Sequence, residues 1–257
     1  MVTSRLRLMP LTVAAAALGL AVLARADAPT WKALKPGLDH RALVVEGVGG
    51  SIKVGVEVLR VDLTKFDLRI LEARTHGALG LTARELCEKT GAVAAVNGSF
   101  FAENYAPLGL LVSGGKTLNP ARQADWGVFA VSHGKATLHH VKEFDAKPDV
   151  SFAVEAGPRL VLDGKPVVSL KPQVARRTAI AVDGSGRVLL VATEGPLFTS
   201  ELAELLARPE ADGGLGAVAA LNLDGGSSTQ MYVNLEGEHV DVVGIGGVAN
   251  TVAVFPR

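Results

Sequence analysis

The sequence predicts an α+β fold: a strand-rich mixed sheet with a few helices, in a single domain. Three observations predict it. Apolar and polar residues alternate through 54–63 and again through 66–71, the period of a half-buried strand. Short continuous apolar runs at 92–96 and 217–223 end in the loops Asn97-Gly98 and Asp224-Gly225, as fully buried strands do. Only two segments carry helix start and stop signals.

In chain order, the first element is a leader. Arg5 and Arg7 precede an apolar run over 11–23, which exits through Ala24-Arg25-Ala26. A charged start, a short apolar middle and small residues at the exit make residues 1–26 a secretory signal peptide, with a domain over 27–257. No later segment is long and apolar enough to span a bilayer, so the exported product, periplasmic or extracellular, is expected to have no membrane association.

After the two alternating strands, Thr82 begins a helix with Glu85 placed for a capping box, and Gly91 stops it. The buried run 92–96 follows. Further strands are expected at 108–112, 128–131 and 159–162, the last ending in the turn Asp163-Gly164. Residues 177–193 read as a hairpin around Asp183-Gly184-Ser185-Gly186. A second helix over 199–207 has Thr199 or Ser200 as its cap and Pro209 beyond its end. Helix, glycine, apolar strand and polar loop thus occur twice, and two such loops at strand ends define a candidate shared site.

Composition narrows the function. The chain is 48% hydrophobic but only 5% aromatic, so its core is built of aliphatic side chains. Lys and Arg together number 26, as do Asp and Glu, so bulk charge recruits neither nucleic acid nor an acidic polymer. The single cysteine, Cys87, excludes an intramolecular disulfide and sits in an apolar pattern that predicts a buried, inert thiol. The adjacent His139 and His140 point to opposite faces of a strand and form no metal pair.

Four elements carry chemistry. In Asp224-Gly225-Gly226-Ser227 a carboxylate ends an apolar strand, and two glycines let the backbone approach a ligand and form an anion-binding nest. Asn97-Gly98-Ser99-Phe100-Phe101 offers an amide at a second strand exit and two rings, one of which is expected in the core. Arg177 and Thr178 begin a strand, and a guanidinium there matches a phosphodiester with paired donors. Glu194, before Gly195, places an acid at the far end of the partner strand. Asp224, Glu194 and Asn222 are oxygen donors that a divalent cation could use, but no metal-type spacing is present and no metal or cofactor is assigned.

These four blocks, in this order, resemble the phosphodiester glycosidase domain family, most strongly over 91–232, where Gly157-Pro158 is a further matching block. Two departures stand out: Glu194 replaces the usual aspartate, and Ser227 follows Gly226 where a third glycine is frequent. The resemblance implies an exported hydrolase that cleaves the C1–O bond of a sugar-1-phosphate diester or phosphoglycan, releasing sugar and a phosphomonoester. It implies catalytic roles for Asp224, Glu194 and Arg177, and substrate contacts from Asn97, Gly98, Phe101, Thr178, Gly225, Gly226 and Ser227. The alternatives are a phosphoglycan-binding module without catalysis, and a metal-dependent phosphodiesterase that cuts the P–O bond. Asn97, Arg177, Glu194 and Asp224 are expected to meet in one pocket.

Overall fold

The computed structural model describes residues 30–147 and 149–257. The signal-peptide segment lies outside the described residues.

The α+β class holds, but the expected mixed sheet is divided into an eight-stranded sheet, two five-stranded sheets and a two-stranded ribbon. Each ladder among the described residues is antiparallel. The connections explain this. The helix Ala83–Thr90 joins Phe66–Glu72 to Ala94–Asn97, and Asn250–Pro256 fills the gap between those strands antiparallel to both. The helix Thr199–Ala207 lies between Val188–Thr193 and Ala217–Asn222, and Thr178–Asp183 fills that gap in the same way. Helical crossovers that would make parallel neighbours are therefore split by a third strand.

The main core lies between the large sheet and the two five-stranded sheets. Leu59, Ile180, Leu190 and Leu221 meet Val96, Met231 and Val252 from one sheet and Leu111, Phe129 and Phe152 from the other. The opposite face of the large sheet packs under the second helix, against Leu202, Ala203, Leu205 and Leu206. The first helix covers the sheet that contains Ala95 and Ala253, using Ala83 and Cys87. Burial there pushes the Cys87 thiol up to about 12, so it is un-ionised and inert.

Local signals at the first helix act as the sequence predicts. Thr82 Oγ1 accepts from Glu85 N at 3.1 Å, Glu85 Oε2 accepts from Thr82 N at 2.8 Å, and Gly91 closes the end with φ 75°. Thr82→Ala is expected to cost about 1 kcal/mol, a fall of about 2–4 °C in a thermal melt for a domain of this size.

Two expectations shift. The cap of the second helix is Phe198, not Thr199 or Ser200, because Thr199 is already helical and buried, its N–H donating to Gln173 O. Glu201 does the capping instead, accepting from Phe198 N at 2.8 Å and from Val48 N and Gly49 N at 3.0 and 2.7 Å. The strand expected at 108–112 starts only at Leu111, because Gly109 has φ 91° and Leu110 N donates to the Glu155 carboxylate at 2.7 Å.

Candidate active site

The two loops singled out by their repeated pattern meet. Asn97 ends its strand fully buried, and its carboxamide joins three segments. Nδ2 donates to the Asp224 carbonyl at 2.6 Å, while Oδ1 accepts from Thr178 Oγ1 at 2.6 Å and from Gln230 N at 3.0 Å. Asp224 N donates in turn to Gly98 O at 3.1 Å. Gly98 admits no side chain, since a Cβ there would stand 2.1 Å from Asn250 Oδ1.

Asn97 and Thr178 therefore depart from their expected role as substrate ligands. Both are wholly buried with their polar atoms engaged inside the protein, so they position the aspartate loop rather than face a ligand.

The aspartate loop itself is accessible. Asp224, Gly225 and Gly226 are half-buried, and Ser227 is exposed. Gly226 takes φ 62° and donates its N–H to Arg176 O at 2.8 Å, and a Cβ on Gly225 would lie 2.8 Å from that same oxygen. Gly225 is thus required by the close approach of the 176–178 segment, and Gly226 by its left-handed backbone. Burial pushes the Asp224 carboxyl above the usual carboxylate range, a shift only partly offset by hydrogen bonds from Ser228 and from Gly225 N at 3.0 Å.

Arg177 is the second departure. Adjacent strand residues face opposite ways, and Thr178 points to Asn97, so the Arg177 side chain turns to the face under the second helix. There it is buried, donating from Nε to Leu197 O at 3.2 Å and from Nη2 to Gln173 O. Burial pushes its guanidinium below the ordinary arginine range.

Arg176, which the sequence reading did not select, shares the Thr178 face. Extending the Thr178↔Ala192 ladder by two residues sets it opposite Glu194. Arg176 Nη1 donates to Val243 O at 2.9 Å; burial lowers its guanidinium, and the charge of Glu194 acts against that lowering. Glu194 is exposed and lies over Gly55, where a Cβ would stand 2.1 Å from Glu194 Oε2. The four residues expected in one pocket thus separate: Asn97 lies beneath the aspartate loop, Glu194 beside Arg176, and Arg177 on the other face. Period-two alternation around Thr178 was the available signal for Arg176.

The rings divide as well. Phe100 packs on the core and on Trp126 at 5.0 Å, whereas Phe101 stacks on Tyr105 at 5.1 Å in the neighbouring loop. A cavity of about 410 Å³ abuts the aspartate strand through Gly157 and Pro158, whose carbonyls accept from Asn222 Nδ2 at 2.9 Å and Asn222 N at 3.0 Å. Among the described residues no group of three or more His, Cys, Asp and Glu side chains is placed to hold a metal ion. Nor is any helix long and apolar enough to cross a membrane.

An antiparallel sandwich with a half-buried aspartate on a glycine loop at strand exits defines the class of site, and comparison with known proteins defines the family. The phosphodiester glycosidase family model matches residues 90–255, and the chain belongs to that family. The catalytic domain of zebrafish N-acetylglucosamine-1-phosphodiester alpha-N-acetylglucosaminidase, auto-inhibited by its pro-peptide, shares the fold. It has a TM-score of 0.69 and 15% identity, over 90% of this chain and 87% of that one. A hypothetical protein from Synechocystis matches with a TM-score of 0.59 and 22% identity, over 91% of this chain and 65% of that one. In sequence, the Escherichia coli K12 protein YigE, itself uncharacterised, is 29% identical over 112 residues, which are 39% of this chain and 44% of that protein. The chain thus matches less than half the length of that relative.

Proposed function

We propose that the protein is an exported hydrolase that cleaves the C1–O bond of a sugar-1-phosphate diester, with Asp224 as its central catalytic group. The observation that carries this reading is the Asp224 carboxyl itself. It is raised by burial and held on a glycine loop in a member of the phosphodiester glycosidase family.

The chemistry follows from the residue types. As the C1–O bond breaks, its electron pair goes to the phosphate oxygen and positive charge develops at C1. Water adds to C1, and its proton passes to the Asp224 carboxylate and then to solvent. The leaving phosphate is a weak base and needs charge stabilisation more than a proton. The exposed Ser227 hydroxyl and the Arg176 guanidinium supply it, and the hydrogen bond from Gly226 N to Arg176 O holds the two segments together. The charge of Glu194 acts against the burial-driven lowering of the Arg176 guanidinium. Phe101, stacked on Tyr105, forms an aromatic wall for the sugar. Asn97, Thr178 and Arg177 are positioning residues.

Hydrolysis of a simple sugar-1-phosphate diester in ¹⁸O-labelled water tests the reading. The label should appear in the reducing sugar. Label in the phosphate would mean P–O cleavage, and tight binding without turnover would mean a binding module. Export is tested on secreted material: mass spectrometry should find Asp27 at the N-terminus, and an intact Met1 on released protein would overturn it.

A further inference from the structure

The cavity beside the aspartate strand has a volume of about 410 Å³, within the range of small-ligand sites. Its lining combines Trp126 with two cations, Arg159 and Lys171, and with the polar side chains of Ser169 and Gln173. Asp125 also lines the cavity; its charge faces Arg159, and its carboxylate is hydrogen-bonded with His140 Nε2 at 3.0 Å. Trp126 is built in. Gly157 is the residue that lets it close, since a Cβ there would lie 2.8 Å from the indole Cδ1. Phe100 and the Arg122 guanidinium, 5.6 Å from the ring centroid, fix it further. Arg159 lies opposite Leu221 in the ladder. Leu221 in turn precedes Asp224 by three residues.

We propose that this cavity is a subsite for a second, anionic sugar unit, so that the substrate is a phosphoglycan chain carrying more than one phosphate. The proposal rests on the reading of the Asp224 loop as the reaction centre. A pyranose ring offers an apolar face to Trp126, and its phosphate meets Arg159, whose planar donors suit it, and Lys171. Gly157 and Pro158, which line the cavity, bond to Asn222 two residues before Asp224, so adjoining units of one chain would reach the subsite and the reaction centre. A neutral sugar would use neither cation, and free phosphate would leave the ring platform unused.

The mature protein has two tryptophans, Trp31 and Trp126, and only Trp126 lines the cavity, so fluorescence reports on it. A hexose monophosphate should quench saturably. Inorganic phosphate and the free hexose should each bind at least tenfold more weakly. The double variant Arg159→Ala/Lys171→Ala should lose tenfold or more in hexose-monophosphate affinity. It should also lose preference for a two-phosphate chain, while hydrolysing a one-phosphate diester at the wild-type rate. Undiminished binding in the double variant, or a free hexose or inorganic phosphate that binds as tightly as the hexose monophosphate, would overturn the proposal. Should no diester be hydrolysed while the affinity pattern holds, the reaction assigned to Asp224 fails and the subsite stands. A thermal melt confirms that each variant is folded.

Discussion

Asp224→Asn is expected to remove turnover, by about 10²–10⁴-fold in kcat, while leaving the protein as stable as wild type or more stable near neutral pH. Asparagine keeps an Oδ1 that can accept from Gly225 N, so the loop geometry survives. What disappears is the group that takes the proton from water. The stability gain follows from the sign of the shift. The folded value lies above the unfolded one, so the native state holds a proton that the unfolded chain has released between the two. The contribution of this group is fully present below the unfolded value and is lost as pH rises through the folded one. Asparagine carries no such charge. The same shift sets the acid limb of kcat/KM in the wild type. Activity should fall as pH drops through a value above the ordinary aspartate pKa of about 3.9, because protonation removes the base. Melting temperature against pH for both proteins, with the wild-type rate profile, checks all three statements. An Asn variant that is less stable at pH 7, or that retains the wild-type rate, would remove Asp224 from this role.

Much of the fold was legible because its signals are local. Thr82, Glu85 and Gly91 lie within one helix and act through neighbours in sequence. The alternation through 54–63 likewise reads out one face against another. Division into separate sheets was not legible, since it depends on which strand fills each gap left by a helical crossover, and that is a non-local pairing. At the site, the Asn97 and Asp224 loops could be found from the repeated strand-exit pattern. That Asn97 faces inward could not, because its burial is set by partners at 178, 224 and 230. The choice between Arg176 and Arg177 turns on a single residue of register, which sends a side chain to the opposite face. Of the cavity only Gly157-Pro158 stood out in the sequence, the rest being assembled from segments around 126, 170 and 199.

The two arginines should part company when each is replaced by alanine. Arg177→Ala removes the donors to Leu197 O and Gln173 O; Gln173 O keeps the Thr199 N–H, whereas Leu197 O loses its bond to the buried guanidinium. An unsatisfied buried group costs about 1–3 kcal/mol, so a fall of about 2–12 °C in melting temperature is expected for a domain of this size. Residual activity should show its defect in KM, because the 173–177 segment loosens. Arg177→Lys should recover part of the stability by restoring one donor, but not the fork that reaches both carbonyls. Arg176→Ala should behave in the opposite way. Its side chain is half-exposed and holds Val243 O at the surface, so the melt should move by only about 1–2 °C. If its guanidinium stabilises the departing phosphate, kcat should drop by about 10²–10³-fold, the effect of removing one preorganised donor from a developing anion. Ground-state affinity should change less, since the oxygen gains its charge only as the bond breaks. Thermal melts and steady-state kinetics on one sugar-1-phosphate diester separate the roles. An unchanged kcat in Arg176→Ala, with a large fall in kcat and an intact melt in Arg177→Ala, would return the phosphate-binding role to Arg177.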